Sequence, residues 1–283
     1  MAERLPSLTF DELKDKACKI RKEIMDVCTK NGAGHIAPSL SCVDILVSLY
    51  YKIMALSADP KWENRDRLIF SKAHGAYGLY AILADIGYIT VSEWKTFYKG
   101  SFLKGCVERS IEHGLEAGCG SLGHGLPQAV GIAFGTKLQG KTINVFCIVG
   151  DGELQEGSNW EAIQFAVKHK LSNLTVIVDA NGLQAMDFLD NVLSVKCHKD
   201  DIEIKMKAFG ATALNCEGHN IPAIVDAIKS IQESCRKNGT PGVLVAKTIK
   251  GYGVKCMENI PKFHFRIPSE KEMNIETEKR YDE

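Results

Sequence analysis

From Gly150 to Asn181 the chain reads GDGELQEGSNWEAIQFAVKHKLSNLTVIVDAN, and this stretch decides the fold. Just before it, Ile143 to Val149 is a short apolar run rich in β-branched residues, the pattern of a buried strand. Gly150-Asp151-Gly152 breaks that strand, because glycine on both sides lets the backbone turn sharply and lets a ligand come close. Ile163, Ala166 and Val167 then recur at helical spacing. A second buried strand, Leu174 to Val178, follows and ends in the polar cluster Asp179-Ala180-Asn181-Gly182. The unit is a βαβ crossover. If its strands are parallel neighbours, Asp151 and Asn181 leave them on the carboxyl edge, where open α/β sheets bind ligands.

A carboxylate, an amide oxygen, a backbone carbonyl and a water suit a hard cation that still has two places for diphosphate oxygens. An ordinary βαβ turn, with Asp151 capping the helix and Asn181 in a turn, fits the same residues. The longer string separates the two readings. Gly150-Asp151-Gly152 with Asn181 downstream resembles the metal-diphosphate motif of thiamine diphosphate enzymes, and Leu154 to Ala162 (LQEGSNWEA) resembles the LQEG-x-x-x-EA run of transketolases. The resemblance implies Mg²⁺ (or Ca²⁺ or Mn²⁺) held by Asp151, Asn181 and the Leu183 carbonyl. It groups Gly150, Asp151, Gly152, Glu153, Glu156, Glu161 and Asn181 with thiamine diphosphate, and it implies that Glu156 and Glu161 face a subunit junction.

The bounds on the rest are broad. At 283 residues the chain can bury the core of one large α/β domain. Lysines and arginines number 35, and so do aspartates and glutamates, so no broad basic surface points to nucleic acid. Ten cysteines occur without a C-x-x-C pair, which argues against structural zinc. Cys18, Cys42 and Cys147 lie in apolar runs and are expected to be buried as small hydrophobes. No signal-peptide core and no membrane-spanning apolar stretch is read in the sequence, so a reducing cytoplasm is the expected setting.

In chain order, Thr9 to Glu12 has the capping-box pattern, and Leu13, Ala17, Ile20, Ile24 and Val27 mark one helix face ending near Gly32. Gly34-His35 follows, then a second helix expected over Cys42 to Tyr51. Arg67 to Phe70 reads as a strand that presents His74 and Gly75 at its carboxyl end. Gly100 to Gly120 is a long non-periodic loop, leading through GSLGHGL (Gly120 to Leu126) into a helix on Ala129, Val130, Ala133 and Phe134. The exposed amides at that helix start suit an anion. Gly135 to Thr142 matches the P-loop pattern, but a helix precedes it and a strand follows it, the reverse of a working P-loop. Gly182 to His198 has no period and is expected to cover the cofactor or a partner. Further elements are expected at Ile202 to Phe209, Thr212 to Leu214, Ile221 to Cys235 and Gly242 to Ala246. Together these predict a single α/β domain over residues 1–283, with a doubly wound, mostly parallel sheet and helices on both faces. The last ten residues read as a charged, disordered end.

The transketolase resemblance also covers Gly34-His35, the run Ser71 to Tyr80 (S-x-x-HG-x-x-x-Y), Gly120 to Gly125, and Lys247 to Gly253 (KT-x-KG-x-G) with His264 beyond. It implies that His74 lies on the diphosphate side, that His35 and His264 serve catalysis, and that Gly120, Ser121 and Leu122 contact the cofactor. His124 stands where many relatives carry glutamine. One-chain members have three domains, and this sequence aligns with the first. The resemblance therefore implies the amino-terminal subunit of a split enzyme. The pyrimidine-binding domain, its activating glutamate and the carboxy-terminal domain would lie on a partner chain, in an α2β2 assembly acting on sugars or sugar phosphates. The implied reaction moves a two-carbon ketol unit from a ketose to an aldose. An acyloin-forming or 1-deoxyxylulose-type synthase would use the same Asp151–Asn181 grip, and a non-catalytic cofactor-binding module is the third reading. One departure stands out. Leu103 to Val107 occupies the place of the family's L-x-GHP, so that Cys106 replaces a histidine that hydrogen-bonds the donor sugar. A modified donor range is then expected, unless His35, or His113 through a shift of register, covers the same oxygen.

Overall fold

The computed structural model describes residues 5–192 and 199–273. Helix α1 (Phe10–Asn31) starts at the expected capping box. The Glu12 amide donates to Thr9 Oγ1, the Glu12 carboxylate accepts from the Thr9 amide, and the helix stops at Gly32 in the left-handed region. Its buried stripe is Leu13, Ala17, Ile20, Ile24 and Cys28, so Cys28 takes the place expected for the half-buried Val27. Cys18 turns to solvent, contrary to expectation, whereas Cys42 and Cys147 are buried.

The second helix begins earlier than its sequence suggests and is broken. Helix α2 (Ile36–Leu40) and helix α3 (Val43–Ser48) are followed by a π-turn at Leu49–Ile53. Residues 36–53 form an apolar window long enough to cross a membrane, with a mean hydropathy of 1.3. This corrects the reading that no such stretch exists. With 89% of the window buried inside the fold, it is a core segment.

Strand β1 (Arg67–Phe70), helix α4 (Ala76–Asp85), helix α5 (Val91–Lys95) and the long loop precede helix α6 (Gly125–Leu138). The loop is pinned by backbone bridges between Val107 and Cys119 and between Ser110 and Leu115. Strand β2 (Val145–Gly150), helix α7 (Gly157–Lys168) and strand β3 (Leu174–Ala180) form the predicted crossover. Helix α8 (Leu189–Val192), helix α9 (Lys199–Ala208), strand β4 (Thr212–Glu217), helix α10 (Ile221–Asn238) and strand β5 (Gly242–Lys247) complete the sheet. Residues 193–198 of the segment expected to cover the cofactor or a partner, and the end expected to be disordered, 274–283, lie outside the described residues.

All pairings are parallel, in the order β1-β2-β3-β5-β4. Every residue of β2 and β3 is buried, which requires cover on both faces of the sheet, as predicted. α6 packs on β1 and β2, and α9 and α10 pack on β4 and β5. The P-loop-like run behaves as its topology requires. Gly140 ends α6 with φ +66°, and the Lys137 ammonium donates to the carbonyls of His169 and Lys170.

Candidate functional site

Parallel pairing sets Gly150 opposite Asp179, so Asp151 and Asn181 leave the sheet side by side. The loop after β3 bonds back to both. Asp151 Oδ2 accepts from the Gly182 amide at 2.5 Å, Asp151 Oδ1 from the Gly152 amide at 2.9 Å, and Asn181 Oδ1 from the Leu183 amide at 3.0 Å. Burial pushes the Asp151 carboxyl up to about 6, and no ion pair relieves it among the described residues. A buried carboxylate without a cationic partner is costly, and a hard cation is what would relieve it. Among the described residues no three His, Cys, Asp or Glu side chains gather around a metal position. A cation here would rely on amide and carbonyl oxygens such as those of Asn181 and Leu183.

Glu153 ties three strand-end loops together. Its carboxylate accepts from Ser71 Oγ after β1, from the Gly123 amide at 2.9 Å and from the Gly150 amide at 3.0 Å. Both of its oxygens are thus engaged by the chain itself. Glycine is required twice in the loop it holds. Gly123 has φ +82°, and a β-carbon on Gly125 would come within 2.4 Å of Ser71. This close packing leaves Gly120 and Ser121 exposed and Leu122 half-buried at the entrance to α6. His124 is exposed, with Nδ1 3.2 Å from the Leu122 carbonyl.

The three predicted histidines converge from distant parts of the chain. Ring centroids are 5.7 Å apart for His35 and His74, 5.0 Å for His74 and His264, and 5.3 Å for His35 and His264. Burial, together with the charge of Lys250, lowers His35 to about 4 and His264 to about 3. Burial and the Lys72 charge hold His74 well below the ordinary range. All three are neutral imidazoles near pH 7, each with one donor and one acceptor nitrogen.

Lys250 lies inside the KT-x-KG-x-G motif, yet its sequence context assigns it no role. Its ammonium sits 2.9 Å from His264 Nδ1 and donates to the Gln184 carbonyl at 3.0 Å. Burial and the charge of Lys72 lower it to about 8. Two buried polar atoms bordering this cluster, His35 Nδ1 and Gln184 Nε2, have no hydrogen-bond partner among the described residues, as expected where a polar ligand belongs.

A second buried cluster has no signal in the sequence. The Lys72 ammonium donates to the Pro38 carbonyl and to Ser41 Oγ, both at 2.9 Å, and pairs with Asp179. Asp179 also accepts from Ser41 Oγ at 2.6 Å and from Thr248 Oγ1. Burial works to raise its carboxyl, but the Lys72 charge and the donated bonds hold it below the usual carboxylate range. Glu156 and Glu161 are exposed at and within α7. Cys106 is half-buried beside Gly120, its carbonyl 3.2 Å from the Tyr80 hydroxyl, and burial raises its thiol.

Comparison with known proteins agrees with this geometry. Residues 13–280 match the family described as "Transketolase, thiamine diphosphate binding domain". The chain is 40% identical to an apulose-4-phosphate transketolase subunit of Actinobacillus succinogenes, over 98% of this chain and 99% of that protein. It is 33% identical to a 6-deoxy-6-sulfo-D-fructose transketolase subunit of a Clostridium species, over 87% of this chain and 88% of that protein. Transketolase from Leishmania mexicana superposes with a TM-score of 0.83 at 24% identity, covering 96% of this chain and 41% of that one, which shows the shared fold. The chain therefore belongs to the transketolase family of transferases and carries that family's thiamine diphosphate-binding domain.

Proposed function

We propose that this chain is the diphosphate-binding subunit of a two-chain, Mg²⁺-dependent transketolase, moving a two-carbon ketol unit from a ketose donor to an aldose acceptor. The observation that carries this reading is the meeting of an unrelieved Asp151 with three neutral histidines and Lys250 at one sheet edge. Asp151, Asn181 and the Leu183 carbonyl hold the cation, for which Ca²⁺ or Mn²⁺ can substitute. Gly120 to Leu122 and His74 receive the diphosphate, with the Lys250 ammonium beside them. His35 and His264 face the sugar, where a neutral imidazole both donates and accepts a hydrogen bond. Thiamine diphosphate, when bound, supplies the electron sink for breaking the ketose carbon–carbon bond.

The partner brings the pyrimidine-binding and carboxy-terminal domains, and the assembly is α2β2, with Glu156 and Glu161 turned toward the junction. Two features support this division: a relative of nearly the same length is itself named as one subunit of a transketolase, and both glutamates are exposed on this chain. The donor is an unusual ketose rather than a common pentose phosphate. Cys106, at the position expected to meet the donor, offers a weaker donor than imidazole, and two relatives are named for apulose 4-phosphate and 6-deoxy-6-sulfo-D-fructose. The proposed setting is the cytoplasm.

The test is co-purification with a candidate partner chain carrying a pyrimidine-binding domain, followed by ketol-transfer assays on xylulose 5-phosphate, apulose 4-phosphate and 6-deoxy-6-sulfofructose. Transfer by the complex and none by this chain alone is expected. Transfer by the lone chain overturns the two-chain division, and no transfer by the complex from any donor overturns the activity.

A further inference from the structure

The four residues that follow β5 cross the candidate site, and each is tied to a different part of the fold. The Thr248 amide donates to the Ala180 carbonyl at 3.1 Å and its hydroxyl to Asp179. Lys250 reaches Gln184 and His264. The Gly251 amide donates to the Ala37 carbonyl at 3.1 Å. The Ile249 amide is held by a side chain: it donates to His219 Nε2 at 2.8 Å.

That contact sets the state of His219. A ring nitrogen that accepts from an amide carries no proton, so the proton sits on Nδ1, which lies 2.8 Å from Asp44 Oδ2 on α3. Asp44 in turn receives the Arg21 guanidinium of α1 at 2.5 Å. The imidazole lies flat on Tyr252, with centroids 3.6 Å apart and planes 13° apart, and the Arg21 guanidinium stands over the Tyr252 ring at 4.9 Å. The Ile249 amide sets the tautomer of His219, and Asp44, Arg21 and Tyr252, which lie outside the candidate site, hold its ring in place. A metal-bound histidine oriented through its second nitrogen obeys the same logic; here the oriented group is a backbone amide.

We propose that His219 is a positioning residue: through the Ile249 amide it sets the backbone that places the Lys250 ammonium against His264 at the cofactor edge. The inference rests on the transketolase reading above for what that edge does. A cleft of about 550 Å³, lined by Lys14, Arg21, Asp44, His219, Asn220 and Tyr252, opens behind the ring. Water can therefore reach the Ile249 amide once the imidazole is removed, which keeps the fold intact while releasing the segment.

Three substitutions separate positioning from mere stability. The Gln oxygen reaches the place of Nε2, the Asn side chain reaches only the place of Nδ1, and Ala reaches neither. In the assembled complex, hydrogen–deuterium exchange of the peptide spanning residues 246–252 is expected to quicken about tenfold in His219→Ala and His219→Asn, the effect of one hydrogen bond of ordinary strength. Exchange elsewhere should not change. Thiamine diphosphate affinity by calorimetry and kcat should fall together by a similar factor, with donor KM little altered. His219→Gln should restore all three. If His219→Ala fails to assemble, the Asn and Gln pair, both close in size to histidine, carries the test. Equal behaviour of Asn and Gln, or quickened exchange spread evenly over the domain, overturns the proposal. If exchange and cofactor affinity respond as expected but the unaltered complex transfers no ketol unit from any donor, positioning stands and the functional reading falls.

Discussion

Asp179 and Asp151 stand at the ends of adjacent parallel strands, and the Asp151 amide donates to the Asp179 carbonyl at 3.3 Å. Both carboxylates are buried, yet their surroundings differ in kind. Asp179 has Lys72, Ser41 and Thr248 on its oxygens, and it stays below the usual carboxylate range. Asp151 has two backbone amides, feels the Lys72 charge only at a distance and forms no ion pair among the described residues, and burial pushes it up to about 6. The first acid is complete without a ligand, whereas the second is complete only with one. Burial alone therefore does not mark a binding position; the unfilled valence of a buried polar group does.

The largest expected effect tests the complete side of this contrast. Asp179→Ala leaves the Lys72 ammonium buried and unpaired, and it should cost about 3–5 kcal/mol in urea-induced unfolding. A cost below 1 kcal/mol would make the cluster dispensable. Asp151→Ala removes an uncompensated charge, so the free chain should unfold at the same urea concentration or slightly above. Mg²⁺-dependent binding of thiamine diphosphate to the assembled complex should fall by roughly a hundredfold or more, in the range seen when metal-site groups are removed. Unchanged affinity in calorimetric titration would end the assignment of Asp151 as a metal ligand.

Cys106→His extends the contrast to the donor side. A stronger hydrogen-bond donor at that position should shift the ratio of kcat/KM between xylulose 5-phosphate and the unusual ketoses toward the former, by ~1–3 kcal/mol of transition-state binding. An unchanged ranking of donors would clear Cys106 of a specificity role. The smallest effect is on acid stability. His35 and His264 have folded values of about 4 and 3, below the ordinary 6.5. The unfolded chain takes up protons that the folded chain refuses, so stability is full above pH 6.5 and declines as pH falls from 6.5 toward 4. Thermal melts at pH 7 and pH 5 should show the loss, and His264→Asn should lessen it.

The local grammar of the chain was legible, and its spatial coincidences were only partly so. The capping box at Thr9, the five strands and the polar ends of β2 and β3 each depend on neighbours in sequence, where period and turn chemistry act. The Lys72 cluster joins positions 38, 41, 72, 179 and 248, and no local pattern marks such a meeting. The break between α2 and α3 was hidden because residues 36–53 are predominantly apolar, with a mean hydropathy of 1.3, and carry no clear amphipathic period to interrupt. Cys18 was misplaced for a related reason: apolar neighbours do not tell which face of α1 a residue occupies, and it lies beside the buried stripe rather than on it. The three histidines were found through family motifs; their mutual contact, and the burial that, with the Lys250 and Lys72 charges, keeps them neutral, required the fold.

The order of the sheet has a consequence for synthesis. Among the described residues β1 pairs only with β2, and their registered partners Arg67 and Val145 are 78 positions apart. His35 and His74 are therefore synthesised well before β2, the strand that pairs with β1. Lys250 and His264 arrive only after β5 has slotted between β3 and β4. Such non-local parallel pairing is slow to form, whereas the 36–53 window packs largely against α1 and α4, which are its neighbours in sequence. The candidate site is thus the last part to be completed, so a truncation before β5 would yield a chain with most of its core residues but without Lys250 and His264.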